Sequence, residues 1–291
     1  MKLIFSRKGF DSSSGGMPSA IFPDNTIITF PIPDNSSSIC YGDINTPKGN
    51  LGNLVSSLSK GRIAPSQGAH LDPDVIRSSL PRTWGWKPLF GQSGQAQSHL
   101  RNNKVGPGDV FLFFGLFRRV ESIDGVFTWA KDTKPCHVIW GWMQVEKAIP
   151  LGQTQPSAMK WAHYHPHWHR ENDSNNTLYT GTRQLHWNNE STSLPGTGVF
   201  THYSNALQLT APNAPGVSLW HVPRWLYPSK NRNPLTYHSD PKRWKKRKHL
   251  TELTAVARGQ EFVLDCQQYP EAMPWVMNLI QHHRNPIKTK S

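Results

Sequence analysis

At 291 residues the chain is long enough for one large domain or two intimate ones; we expect one compact unit over 1–291, with sub-regions 1–94, 95–150 and 151–291. Its 12 Trp, 12 Phe and 7 Tyr exclude a disordered tail, and no apolar run approaches the length of a membrane-spanning helix. The 32 Lys+Arg against 19 Asp+Glu, a formal charge of +13, suit a polyanionic partner.

In chain order, 2–6 reads as a first strand, followed by a loop containing Ser12-Ser13-Ser14-Gly15-Gly16. Residues 26–30 read as a second strand closed by Pro31 and Pro33, and 53–58 and 93–103 as helices, the latter ending before Gly106-Pro107-Gly108. The continuous apolar run 110–117 predicts a strand buried on both faces, and 137–145 another. Residues 150–200 are polar and turn-rich, with short strands at most. Strands at 218–222 and 260–265 precede a helix at 272–283, where Val276, Leu279, Ile280 and His283 share a face. The class is α+β: a compact β-rich core with short helices and long loops, without an alternating βαβ pattern.

The N-terminal apolar stretch is too short for a signal peptide. The widely spaced Cys40, Cys136 and Cys266 read as reduced thiols of a cytoplasmic monomer, not as a disulfide frame.

Charge is unevenly spread. Residues 1–120 carry 13 basic and 7 acidic side chains, 121–220 carry 6 and 7, and 221–291 carry 13 and 5. The densest tract is Lys242-Arg243-Trp244-Lys245-Lys246-Arg247-Lys248-His249. Its functional reading is a clamp on a nucleic-acid backbone, which fixes affinity and carries no sequence information; the plain alternative is a solvated loop. Aromatic residues beside such charge favour nucleic acid, because unstacked bases lie on aromatic rings.

No GxGxxG, Walker A or GxSxG motif is present, so no nucleotide cofactor is expected. The run His163-Tyr164-His165-Pro166-His167-Trp168-His169 invites a metal reading, since alternate residues of a strand share a face. Pro166 interrupts that strand and no ligand set at zinc-finger spacing accompanies it, so no metal is expected.

The first 34 residues are the chemically densest. Arg7 and Lys8 are suited to hold a phosphate or polarise a leaving base, and Ser12 to Gly16 offers backbone N–H groups to an anion. Asp11, Asp24 and Asp34 are suited to stabilise an oxocarbenium-like sugar cation or activate water. Asp24-Asn25 and Asp34-Asn35 also fit ordinary turn capping, which puts Asp11 first. The pairs Trp84/Trp86 and Trp140/Trp142 each flank a glycine and, on a strand, would frame a flat ring; core packing is the competing account.

The opening SRKGFD…GG…IFPD…PIPD, with LTYH at 235–238 and RGQEFVLD at 258–265, resembles the third of the nucleotide modification associated domain families, over most of the chain. That resemblance implies a place beside enzymes that make, read or attack hypermodified DNA bases, often in phage or anti-phage contexts. Residues 95–150, with Gly108-Asp109-Val110 and Ile139-Trp140-Gly141, are similar to PUA-like and EVE-type barrels that hold a modified base. Three functions follow as expectations: a DNA glycosylase that flips and excises a bulky modified base from double-stranded DNA, a non-catalytic reader of such bases, or a base-modifying transferase.

Overall fold

The computed structural model describes residues 1–151, 157–170, 173–257 and 259–284. Arg258, which opens the 258–265 motif, lies outside them. Six strands form the main path of a ten-stranded sheet: β1 (Lys2–Arg7), β2 (Leu89–Gln92), β3 (Val110–Ile123), β4 (Cys136–Pro150), β5 (Thr177–Gly181) and β6 (Glu261–Asp265). Their spatial order is β6-β1-β3-β4-β5-β2. The β1–β3 pair is parallel and every other neighbouring pair on the path is antiparallel.

Asp109 fixes the parallel pair. Its Oδ1 accepts the Lys2 N–H at 2.7 Å and its Oδ2 accepts the Gly106 N–H at 2.9 Å, so the start of β3 is tied to the start of β1. The predicted run 110–117 is buried as expected, with Val110 through Phe114 fully inaccessible. In β4 the register shifts between Ile139 and Gly141 and again between Val145 and Lys147. Such irregularities bend a strand and increase its twist, and the sheet curls into a half-barrel. The path runs from β6 to β2 without closing. The window 95–150 supplies β3 and β4 of this half-barrel, and their outer partners, β1 and β5, come from outside it.

One expectation is refined and one needs correction. Residues 150–200, read as turn-rich with short strands at most, contain the five-residue β5, an inner strand buried along its whole length. Pairing to β4 and β2 decided its state. The strand expected over 26–30 shrinks to Ile27–Ile28, because the Phe30 N–H turns to Ser19 Oγ (3.0 Å) and its carbonyl to the Phe10 N–H (2.9 Å).

The helices lie where the sequence put them, within two residues: α1 (Leu51–Ser59), α2 (Gly94–Asn102) and α3 (Ala272–His283). Asn50 caps α1, its Oδ1 accepting the Asn53 N–H, and Leu51, Leu54, Val55 and Leu58 pack into a cluster with Phe22, Phe30 and Tyr41. Val276, Leu279 and Ile280 of α3 are buried in the main core, each such side chain contributing about 1.5–3 kcal/mol. Among the described residues no helix is long and apolar enough to cross a membrane. All three cysteines are free thiols, and burial pushes Cys136 up to about 11 and Cys266 up to about 12.

Candidate active site

The curl has one chemical consequence. It brings Gln92, at the end of β2, to Glu261, at the start of β6, although these strands are the two ends of the sheet path. A cleft of about 720 Å³ opens there. One wall comes from the end of β1, the first turn of α2, and Tyr237 with Ala257, Gly259, Gln260 and Glu261; the other carries His70, Asp72, His167 and Arg170.

On the first wall Glu261 is 1% exposed, placed opposite Ser6 by the β1–β6 register. Its Oε1 accepts Gln92 Nε2 at 2.6 Å and Ser6 Oγ at 3.1 Å, and meets Lys8 Nζ at 3.1 Å. Its Oε2 is buried without a hydrogen-bond partner among the described residues. A carboxyl oxygen left without a partner inside a protein is costly, which marks it as a functional candidate. Lys8 Nζ also sits 4.6 Å from the Phe90 ring centre. Arg7 donates to the carbonyls of Ala257 (2.8 Å) and Val256 (3.0 Å), while burial lowers its pKa and the charge of Asp11 opposes that.

At the mouth, Tyr237 is half exposed and holds a φ of +67°, a left-handed conformation that a bulky side chain rarely adopts. Its ring lies 4.4 Å from that of His99. His99 in turn contacts Thr236 Oγ1 through Nε2 at 2.9 Å. An exposed aromatic ring backed by an imidazole is a surface on which a planar base can stack.

On the second wall Asp72 is the hub. Its Oδ1 accepts the Gly91 N–H at 2.7 Å and lies 3.3 Å from His165 Nε2. Its Oδ2 lies 3.7 Å from His167 Nε2 and 3.9 Å from His70 Nε2. Burial works to raise the Asp72 pKa, but the approach of His165 outweighs it, and the carboxyl stays below the usual range. Each of the two imidazoles is held from behind: His70 Nδ1 meets Asp34 Oδ2 at 2.7 Å and His167 Nδ1 meets Asn176 Oδ1 at 2.8 Å. Burial pushes His167 down to about 3, so the ring is neutral. Its ring packs against β2 at Gly91, where a Cβ would meet His167 Cγ at 2.3 Å; only glycine permits that approach. The neighbouring Asp74 is held by both Arg82 nitrogens (2.6 and 2.7 Å) and by the Tyr164 hydroxyl (2.5 Å), anchoring the segment that carries Asp72.

The residues singled out in the sequence are dispersed. Arg7, Lys8 and Asp11 line the cleft. Asp11 spends Oδ1 on the N–H groups of Ser13 and Ser14 (both 2.8 Å), so these amides of the proposed anion loop are already taken. Asp34 stands behind His70, where the hydrogen bond from His70 holds its carboxyl well below the usual range. Asp24 is outside the cleft: it caps Thr26 (3.1 Å) and pairs with Lys48, in line with turn capping. None of the four tryptophans lines the cleft. Trp84 is 98% exposed on a loop, and Trp86 braces Tyr164 through Nε1 at 2.8 Å. Trp142 is core, its Nε1 on the Pro195 carbonyl. Trp140 instead lines a second, apolar cavity of about 450 Å³ that shares Asp72 with the cleft, and its Nε1 has no partner among the described residues.

The histidine run divides as well. His165 and His167 are buried at Asp72, whereas His163 and His169 are exposed and contact one another. The basic tract lies outside the cleft lining, on Pro241–Arg243 and the outer strand Trp244–Lys246 of a three-stranded sheet. Trp244 is a buried anchor whose Nε1 donates to the His238 carbonyl at 2.7 Å, so it offers no ring to a base. Lys242, Lys245, Lys246, Arg247 and Lys248 are exposed; Arg243 is half-buried and donates to the Thr254 carbonyl at 3.1 Å.

Sequence reasoning did not rank Glu261, His70, Asp72, His99 or Tyr237. Two signals were present. His70 and Asp72 alternate around Leu71, and Tyr237 and Glu261 belong to the motifs that carried the family resemblance.

No curated protein and no solved structure matches the chain. The family model described as nucleotide modification associated domain 3 matches residues 2–265, nearly the whole chain, so the chain belongs to that family and its role is tied to nucleotide modification.

Proposed function

We propose that the chain is a DNA glycosylase that excises a bulky modified base, and that the cleft at Glu261 is its active site. The observation that carries this reading is Glu261 Oε2, buried without a hydrogen-bond partner among the described residues, in a cleft that also presents Arg7, Lys8 and Arg170 and has an aromatic ring at its mouth. A flipped nucleotide would stack its base on Tyr237, and the cations would take its phosphates. Water then attacks C1′ as the C1′–N bond breaks. The bonding electrons leave with the base, which takes up a proton, and Glu261 accepts the proton lost by the water. The products are a free base and an abasic sugar. The carboxylate also opposes the positive charge that develops on the sugar. The substrates favoured are glycosylated or hydroxymethylated cytosine in phage DNA, which would place the activity in defence.

The test is base release from duplexes bearing these cytosines, compared with plain DNA. We expect abasic sites only in modified DNA. Glu261→Gln should lower the rate by about 100-fold or more while leaving DNA binding intact. Asp11→Asn should cost less, because Asp11 already serves its own turn. Retention of modified DNA with no base released would put the non-catalytic reader in its place. Label transferred from an added donor would favour the transferase.

A further inference from the structure

We infer that His70 Nε2, Asp72 Oδ2 and His167 Nε2 form a binding site for one divalent first-row transition metal on the second wall of the cleft. This goes beyond base excision, and it replaces the expectation that the histidine run plays no part in metal binding.

The argument begins with tautomers. Asn176 Nδ2 donates to the His167 carbonyl at 2.7 Å, which fixes the orientation of that amide and leaves Oδ1 as the atom facing His167 Nδ1. An amide oxygen only accepts, so Nδ1 carries the proton and Nε2 presents a lone pair. His70 is held in the same way: its Nδ1 faces the Asp34 carboxylate, which only accepts, so Nε2 is the ring nitrogen left for a ligand. Two imidazole Nε2 atoms are thus turned towards one carboxylate oxygen.

The distances then decide what fills the gap. A proton shared between nitrogen and carboxylate would draw them to about 2.7–2.9 Å. The separations are 3.7 and 3.9 Å, and the three donor atoms all lie within 4.8 Å of one another. A metal with bonds of about 2.0–2.2 Å to nitrogen and oxygen spans donors up to about 4.4 Å apart, so the two N···O separations suit it and the donors would draw together on binding. Among the described residues no hydrogen bond reaches Asp72 Oδ2; Gly91 and His165 both engage Oδ1. Two imidazoles and one carboxylate, without thiolate, suit zinc, iron or manganese and leave coordination positions open to the cleft.

The surroundings are those of a ligand set held in advance. Imidazole ligands are usually oriented by a carboxylate or carbonyl on the far nitrogen, as Asp34 and Asn176 do here. Asp34 thereby acquires a role as a positioning residue behind His70, without touching the metal.

The experiment uses the full chain, stripped of metal and titrated with Co²⁺, with Zn²⁺ as competitor. Binding is followed by visible absorption and by the rise in unfolding temperature, so it is read with the metal alone and stands apart from base excision. Wild type should take up one equivalent and be stabilised. His70→Ala and His167→Ala should each weaken binding by more than about 10-fold, and Asp34→Asn by about 10–100-fold. His163→Ala and His169→Ala should bind as wild type. Folding of each variant is checked by circular dichroism in chelator; should His167→Ala fail to fold, His70→Ala decides. Absence of specific uptake by wild type overturns the proposal. So does full binding by folded His70→Ala, or loss of binding in His163→Ala.

Discussion

The second wall of the cleft and the basic tract at 242–248 are both dense in ionisable side chains, and they differ in almost every physical respect. In the wall, His165 and His167 are buried beside Asp72, and Asp72, His70 and His167 are each held by a neighbour's hydrogen bond. In the tract, Lys242, Lys245, Lys246, Arg247 and Lys248 stand in solvent on and beside an outer strand. Lysines on an outer strand have a structural use, since they discourage pairing with another chain. The tract is contiguous in sequence and visible at once. The wall is assembled from residues 34, 70, 72, 165, 167 and 176, and no window of sequence contains it. A run of charge in a sequence marks where ions are solvated; chemistry needs them converging, and convergence comes from the fold.

The sharpest way to break this contrast is to remove the hub. Asp72→Ala leaves the Gly91 N–H and His165 unpaired in the interior, and loss of one partner from a buried charged cluster costs about 3–5 kcal/mol. Urea unfolding of the metal-free protein measures it. A cost near zero would mean that the wall is as plastic as the tract.

The next effect is proton-linked and separates buried imidazoles from exposed lysines. Burial pushes His137 down to about 3, helped by the charge of Arg7, and His238 down to about 4. In the unfolded chain both return towards their ordinary 6.5. Between these values the unfolded state binds more protons, so stability is full above about pH 6.5 and falls as the pH drops. At pH 5 the loss is about 2 kcal/mol per histidine. Unfolding at pH 7 and pH 5 checks this, and His238→Gln should flatten the dependence. A flat profile for the wild type would show that these rings are not buried neutral.

The smallest effect on the protein itself is expected from the tract. Replacing Lys245, Lys246, Arg247 and Lys248 by Gln should leave the unfolding midpoint unchanged. If the tract is a backbone clamp, binding to modified and plain duplexes falls alike. The slope of log affinity against log salt then flattens by about 1 for each phosphate contact removed. An unchanged slope would leave these lysines with the protection of an outer strand as their only role.

What the sequence determined by itself was local. Apolar period and helix signals placed β1, β6, all three helices and the starts of β3 and β4 to within two residues, because those segments are specified by their own side chains. The strings of the opening motif, LTYH at 235–238 and RGQEFVLD at 258–265 pointed to the family. Local chemistry also gave Arg7 and Lys8 a place in the cleft and gave Asp24 its turn. Tertiary structure decided the rest. The polar β5 became an inner strand because β4 and β2 pair with it. The tryptophan pairs parted because their fates depend on neighbours distant in sequence: Trp84 met solvent and Trp142 met the core. The cleft exists because the sheet curls until Gln92 reaches Glu261, 169 positions away. Hydrogen bonds that orient an imidazole, and a buried carboxyl oxygen without a partner among the described residues, are properties of atoms brought together across the chain. No linear pattern encodes them, since each depends on the register and bending of strands that lie far apart in sequence.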